Sequence, residues 1–303
     1  MIQGPGSANP GYTAYCGDCE FTEDPANRLV PHFMYWNERN GPGKGREVMM
    51  RIARRTFLAG LGAAAVSPIV SRAAASRALE MPATPRKVEK LFMAPGNMPN
   101  GLQTAADGLW ILDQEDPNKV FKVKYEGGSV LREIQTEGFH ASGITVGNGA
   151  LWIASTFGLT TLKVDIETGK TLKTFDTPGV GDPKWGAARG RKAGAHGLEW
   201  VDGKYWIAVP PAMALYQIEP ETGKALRSIP APGERPHGIA WHQGYIWCVE
   251  SNHRAIYKMD PKDGRLLEKL QLSADDPEPH GMSMRNGEFW YCDAVSRWVC
   301  RLV

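Results

Sequence analysis

Pro236-His237-Gly238-Ile239-Ala240-Trp241-His242-Gln243-Gly244-Tyr245-Ile246-Trp247-Cys248-Val249-Glu250 is the stretch that decides the fold. An Ile-Trp pair sits inside an apolar run, with a His-Gly pair starting ten residues before the tryptophan and a glutamate three residues after it. The same unit recurs around Trp110, Trp152, Trp206 and Trp290, each preceded by Leu, Leu, Tyr or Phe. Ten residues before each tryptophan stand Asn100, Ser142, His196, His237 and His280, each followed by glycine and an apolar residue. Three residues after stand Asp113, Ser155, Val209, Glu250 and Asp293.

Downstream of each tryptophan comes a second strand pattern and a turn, such as Tyr257-Lys258-Met259-Asp260 before Lys262-Asp263-Gly264, then an alternating strand, Arg265 to Leu270. One unit is therefore four antiparallel strands, a to d, in about 42 residues, which is the blade of a propeller. The expected fold is all-β, a five-bladed β-propeller over residues 87–303. The fifth unit ends after strand c (Trp298 to Val303), and Arg86-Lys87-Val88-Glu89-Lys90-Leu91-Phe92 has the character of its missing strand d. The amino-terminal strand is expected to close the ring and remove two open sheet edges.

A formal net charge of +2 gives no broad basic face, so a nucleic-acid partner is not expected. Ahead of the repeats, Arg54-Arg55 followed by the weakly apolar run Leu61 to Val70 and by Ala73-Ala74-Ala75 resembles a twin-arginine export signal. The run is shorter than the roughly 20 residues of a spanning helix. The expected organisation is an upstream stretch 1–48, disordered or ahead of the true start at Met49 or Met50, then a signal over 49–75, a linker over 76–86 and the propeller. The mature protein is expected in the periplasm or secreted, with the export machinery as a partner and no membrane anchor after cleavage near Ala75. Cys16-Gly17-Asp18-Cys19 is a lone C-x-x-C, weak as a zinc signal. Of Cys248, Cys292 and Cys300, the last two fall on neighbouring strands and either pair or remain buried thiols.

Strand a is innermost and antiparallel to b, so the start of a and the end of b share one mouth of the channel. Three histidines with Glu250 and Asp293 there suit a divalent cation or a general acid/base pair; the alternative is that duplicated histidines merely bond neighbouring backbone. His140 lies just before strand a of its blade. The third repeat is lengthened by the glycine-rich, basic loop Pro178 to Ala195, which carries Trp185 and reads as a lid or anion-contacting arm. Arg254 and Arg297, in b–c loops, add positive charge, so an anionic small molecule is a fitting guest.

Pro236-His237-Gly238-Ile239, Tyr245 to Glu250 and Ala255 to Pro261 resemble the blade unit of streptogramin B lyases. The resemblance implies a magnesium-dependent elimination that opens a cyclic ester, with His237 and His280 as catalytic residues and Asp293 helping to bind the metal; Glu250, from the same ring, is expected to join Asp293 in holding Mg2+ or another divalent cation. Asn100 replaces the family's first-blade tyrosine, and five blades stand where the lyases have seven. The expected substrate contacts are Asn100, His140, Trp185, His196, Arg254 and Arg297. The expected function is a metal-assisted lyase or hydrolase acting on a small ester or lactone; the alternatives are a non-catalytic ligand- or protein-binding propeller and a sugar-lactone hydrolase.

Overall fold

A computed structural model describes residues 67–184 and 190–303. The export signal's Arg54-Arg55, the Cys16–Cys19 pair and Trp185 lie outside the described residues. Five antiparallel sheets form the propeller. Blade 1 is Pro99–Ala105, Gly108–Asp113, Lys119–Val123 and Val130–Gln135. Blade 2 is Ala141–Gly147, Ala150–Ser155, Thr160–Asp165 and Thr171–Asp176. Blade 3 is Leu198–Val201, Lys204–Val209, Ala214–Ile218 and Ala225–Pro230. Blade 4 is Pro236–His242, Tyr245–Glu250, Ala255–Met259 and Leu266–Gln271. Blade 5 takes Met282–Arg285, Glu288–Cys292 and Trp298–Leu302 from the end of the chain, and its outer strand is Val88–Met93, antiparallel to Trp298–Leu302. The expected closure is thus present.

Asn148-Gly149, Asp202-Gly203, Gln243-Gly244 and Asn286-Gly287 link strands a and b, with positive φ at both residues of each pair. That conformation matches the twist of a two-residue hairpin, which fixes the a–b register.

The repeated tryptophans explain why one blade needs the next. Trp110 packs on Leu151 and Ile153 of blade 2, and Trp152 packs on Tyr205 and Ile207 of blade 3. Trp206 lies with Ile246 and Tyr257 of blade 4, Trp247 with Phe289 and Tyr291 of blade 5, and Trp290 with Leu109 and Ile111 of blade 1. Each of the five is almost fully buried. The core is therefore five seams around the axis, and a lone blade would leave a large aromatic face in water.

At the axis, the glycine that follows each ring position permits backbone contact between neighbours. A Cβ on Gly143 would stand 1.6 Å from the carbonyl oxygen of His196, one on Gly197 2.0 Å from that of His237, and one on Gly281 2.5 Å from that of Asn100. A side chain would wedge the inner strands apart. Five blades leave so little room that a void of about 10 Å3 remains between the glycine-flanked strands, at the margin for one water. The channel is therefore pinched shut beneath the mouth.

Two features before the propeller differ from a free linker over 76–86. A helix, Pro68–Glu80, runs through Ala73-Ala74-Ala75 and buries Ala78 in the seam between blades 3 and 4. Tyr257 Oη donates to the Ala78 carbonyl at 3.2 Å. Thr84–Pro85 then pairs in parallel with the outer strand of blade 4, covering that edge. The cysteines are all free and buried. Cys300 lies opposite Tyr291 in the blade 4–5 seam, whereas Cys292 lies opposite Val299 in the blade 5–1 seam. The two side chains point to opposite faces of the sheet, so the open choice resolves to buried thiols.

Candidate functional site

Asn100, Ser142, His196, His237 and His280 do form a ring, each less than a tenth exposed. The imidazoles of His196 and His237 meet edge to face with centroids 4.5 Å apart, and those of His237 and His280 at 4.9 Å. Burial leads the downward shift of all three. It takes His196 to about 3, with Arg235 adding to it. His237 is held well below its ordinary value by burial and then by its two neighbours. For His280, burial and Arg235 outweigh Glu278 and Asp293. Near neutral pH the mouth presents three uncharged imidazoles.

The tautomer of His237 follows from its partners. Ser251 Oγ gives its single proton to the Pro279 carbonyl at 2.6 Å, so at 2.9 Å it accepts from His237 Nδ1–H. His237 Nε2 then keeps its lone pair. Arg235 Nη2, which can only donate, lies 3.1 Å from His280 Nε2, with Glu278 Oε1 3.3 Å from the same nitrogen, while His280 Nδ1 lies 3.1 Å from the Glu278 carbonyl and 3.4 Å from Ala294 N. Glu278 Oε1 holds the same guanidinium through Nη1 at 2.6 Å.

The carboxylates expected to hold a metal are committed elsewhere. Glu250 Oε1 accepts from Arg235 N and Oε2 from His253 N, both at 2.7 Å. Asp293 accepts from Val295 N at 2.9 Å and Ser296 Oγ at 2.5 Å, and its nearest approach to His280 Nδ1 is 3.8 Å. Asp113 takes Asn97 N and Met98 N, and Ser155 takes Phe139 N. The position three after the tryptophan thus serves nearby loop backbone in four blades. Among the described residues no group of three or more His, Cys, Asp and Glu is placed to hold a metal ion, and this donor set does not fit Mg2+.

One residue further on, the chain does face the ring. Gln114 bridges Asn100 and Ser142, Thr156 reaches Ser142 at 2.8 Å, and Ser251 orients His237. These residues, with Arg235 and Glu278, were not singled out from the sequence. A readable signal existed: Arg235-Pro236-His237 and Glu278-Pro279-His280 place opposite charges at the same offset in adjacent blades.

Of the remaining candidates, His140 lies near enough to the ring to help lower His196, while Arg254 and Arg297 are tied into loops. His140 stacks on Phe157 at 4.0 Å, with Arg191 of the long loop 4.3 Å over the same ring. Burial and then Arg191 lower His140 to about 4. The long loop is pinned to blade 2 by Gly194 N to the Thr156 carbonyl and Thr156 Oγ1 to the Ala195 carbonyl, both 2.8 Å. Arg254 and Arg297 occupy left-handed turn positions. Arg254 donates to the Ser273 and Asp276 carbonyls, and Arg297 to that of Gly96 at 3.0 Å. They tie loops, and the mouth's guanidinium is Arg235 instead.

Below the glycines a second polar ring joins the blades. Thr145 Oγ1 accepts from Trp200 N at 3.0 Å, Ser283 Oγ from Thr104 N at 3.0 Å and Glu199 Oε1 from Trp241 N at 3.3 Å. Glu199 Oε2 is buried without a partner, and burial pushes the carboxyl up to about 8, so it is largely protonated at neutral pH.

No protein-family model matches the chain, and no curated protein does. Among solved structures it is similar to a glutaminyl cyclase from Myxococcus xanthus, with TM-score 0.58 and 12% identity over 73% of this chain and 98% of that one. A streptogramin B lyase gives TM-score 0.44 and 16% identity over 72% and 97%. At such identities the likeness is one of fold, a β-propeller architecture that enzymes also use.

Proposed function

We propose that the histidine-lined mouth is the working site of an enzyme, a lyase or hydrolase, acting on small carbonyl compounds. The observation that carries the reading is the pairing of a guanidinium with uncharged imidazoles: Arg235 Nη2 lies 3.1 Å from His280, which packs edge to face on His237. His237 Nε2 is the proton acceptor, and Arg235 faces the negative charge that develops on the carbonyl oxygen. In hydrolysis His237 takes a proton from water, the hydroxide adds to the carbonyl carbon, and the electron pair moves to the oxygen facing Arg235. Collapse then expels the leaving group, which takes the proton back. In elimination His237 takes the proton instead from the carbon beside the carbonyl, and the electron pair forms a double bond to the next carbon as that carbon's bond to the leaving oxygen breaks. The departing oxygen takes the proton back, and the product's double bond is visible in the ultraviolet. His280 and Glu278 act as positioning residues for Arg235. No step is routed through a divalent cation, since Glu250 and Asp293 are committed to other hydrogen bonds.

The test is turnover of a panel of small lactones, esters and amides by the full chain. Activity lost in His237→Gln and in Arg235→Met, but kept in Asp293→Asn, supports the reading; turnover indifferent to His237 overturns it. A binding role is favoured by a different observation, the burial of His237 and His280 to 2% exposure. Saturable binding without any product across the panel would select it.

A further inference from the structure

The neutral half of the mouth has a direction. The Ala195 carbonyl can only accept, so Thr156 gives its hydroxyl proton there, at 2.8 Å. Thr156 Oγ1, 2.8 Å from Ser142 Oγ, must then accept from the Ser142 hydroxyl. Ser142 Oγ in turn accepts from Gln114 Nε2, which leaves Gln114 Oε1 to accept from Asn100 Nδ2 at 2.9 Å. Four links therefore fix the Asn100 carboxamide so that Oδ1 is its remaining atom. That oxygen is buried, has no hydrogen-bond partner, and belongs to a side chain on a residue 4% exposed.

An unpartnered buried acceptor costs roughly 1–3 kcal/mol, and a ligand that donates to it recovers that cost. Asn100 stands next to His280 in the ring, since the backbones of blades 5 and 1 touch there, with Gly281 against the Asn100 carbonyl. Arg235, the donor, meets the same imidazole from blade 4, with Nη2 3.1 Å from Nε2. The two flanks ask for opposite things: an acceptor oxygen on the Arg235 side and an N–H on the Asn100 side.

We infer that the substrate is a carboxamide, with the N–H beside its carbonyl donated to Asn100 Oδ1, rather than an ester or lactone. This rests on the mouth being the working site. An amide carries both groups, an acceptor oxygen for Arg235 and an N–H for Asn100 Oδ1. An ester turns a lone-pair oxygen towards Asn100 Oδ1, so the acceptor stays unpaired and repelled, the situation in which hydrogen-bonding sites discriminate most strongly.

The test is binding, which does not depend on turnover. δ-Valerolactam and δ-valerolactone, rings of equal size, are titrated against the full chain by saturation-transfer NMR. The lactam is expected to bind about tenfold or more tightly. The preference should collapse in Asn100→Ser, which puts at this position the residue blade 2 carries there, while Arg235→Met weakens both probes. Should Asn100→Ser fold poorly by thermal melt, Gln114→Met removes the acceptor that orients Asn100, and the preference should fall likewise. Equal binding of the two probes, both weakened by Arg235→Met, overturns the carboxamide assignment and leaves the carbonyl site standing. A lactam preference untouched by both variants also overturns it. Binding that Arg235→Met does not alter removes the carbonyl site and this inference with it.

Discussion

Arg235 and His280 are joined across the seam between blades 4 and 5, with Nη2 3.1 Å from Nε2. The guanidinium is the largest charge holding the His280 imidazole down, and it contributes at His196 and His237 as well. Arg235→Met should therefore raise the pKa of His280, and by less that of His237, while burial keeps both below the ordinary histidine value. Titration of the imidazole resonances by NMR measures this, and an unchanged His280 would show that the guanidinium does not act on it.

The buried neutral histidines make the fold acid-sensitive. His196 titrates at about 3 and His140 at about 4 in the native chain, against 6.5 when unfolded. As pH falls below 6.5 the unfolded chain takes up protons that the native chain refuses, so stability declines until the native values are reached. The slope is up to about 1.4 kcal/mol per pH unit for each such group. Urea unfolding across this range should show the decline, and His196→Asn should make it shallower.

Glu199 acts in the opposite window. Its carboxyl stays protonated in the native state up to about 8, against 4.5 when unfolded, so its effect favours folding fully below 4.5 and is lost as pH rises towards 8. Glu199→Gln keeps the shape of the protonated acid without the ionisation. The variant should be more stable than the parent at pH 8 and should match it near pH 4; equal stability at both would show that Glu199 ionises freely.

The axial glycines and the hairpin glycines should respond differently to alanine. Gly143→Ala drives a Cβ into the His196 backbone, and overpacking of this kind costs about 3 kcal/mol or more. Gly149→Ala meets no atom within 4 Å and bears only the strain of a positive φ, about 1 kcal/mol. Chemical unfolding of the two variants side by side checks the order.

The fold was legible because the tryptophan in each unit has the same task, filling the seam to the next blade, and a repeated task leaves a repeated residue. The closing strand was legible because the fifth unit lacked one. The ring at Asn100, Ser142, His196, His237 and His280 followed from the same register. Glu250 and Asp293 were read as facing the ring, and their carboxylates accept from loop amides and a serine hydroxyl. Successive side chains of an extended strand end point to opposite sides, so the position three after the tryptophan serves loop amides, while the next one, as at Gln114, Thr156 and Ser251, meets the ring. Arg235 escaped notice because its partner, Glu278, comes from another blade.

The most direct test of the mouth as the working site is a long-range 1H–15N spectrum of the imidazoles in the full chain, recorded as δ-valerolactam is added. The predicted result is a saturable, concerted shift of His237 and His280 that is absent in Arg235→Met. Imidazole signals that stay fixed while the probe saturates the protein would contradict it.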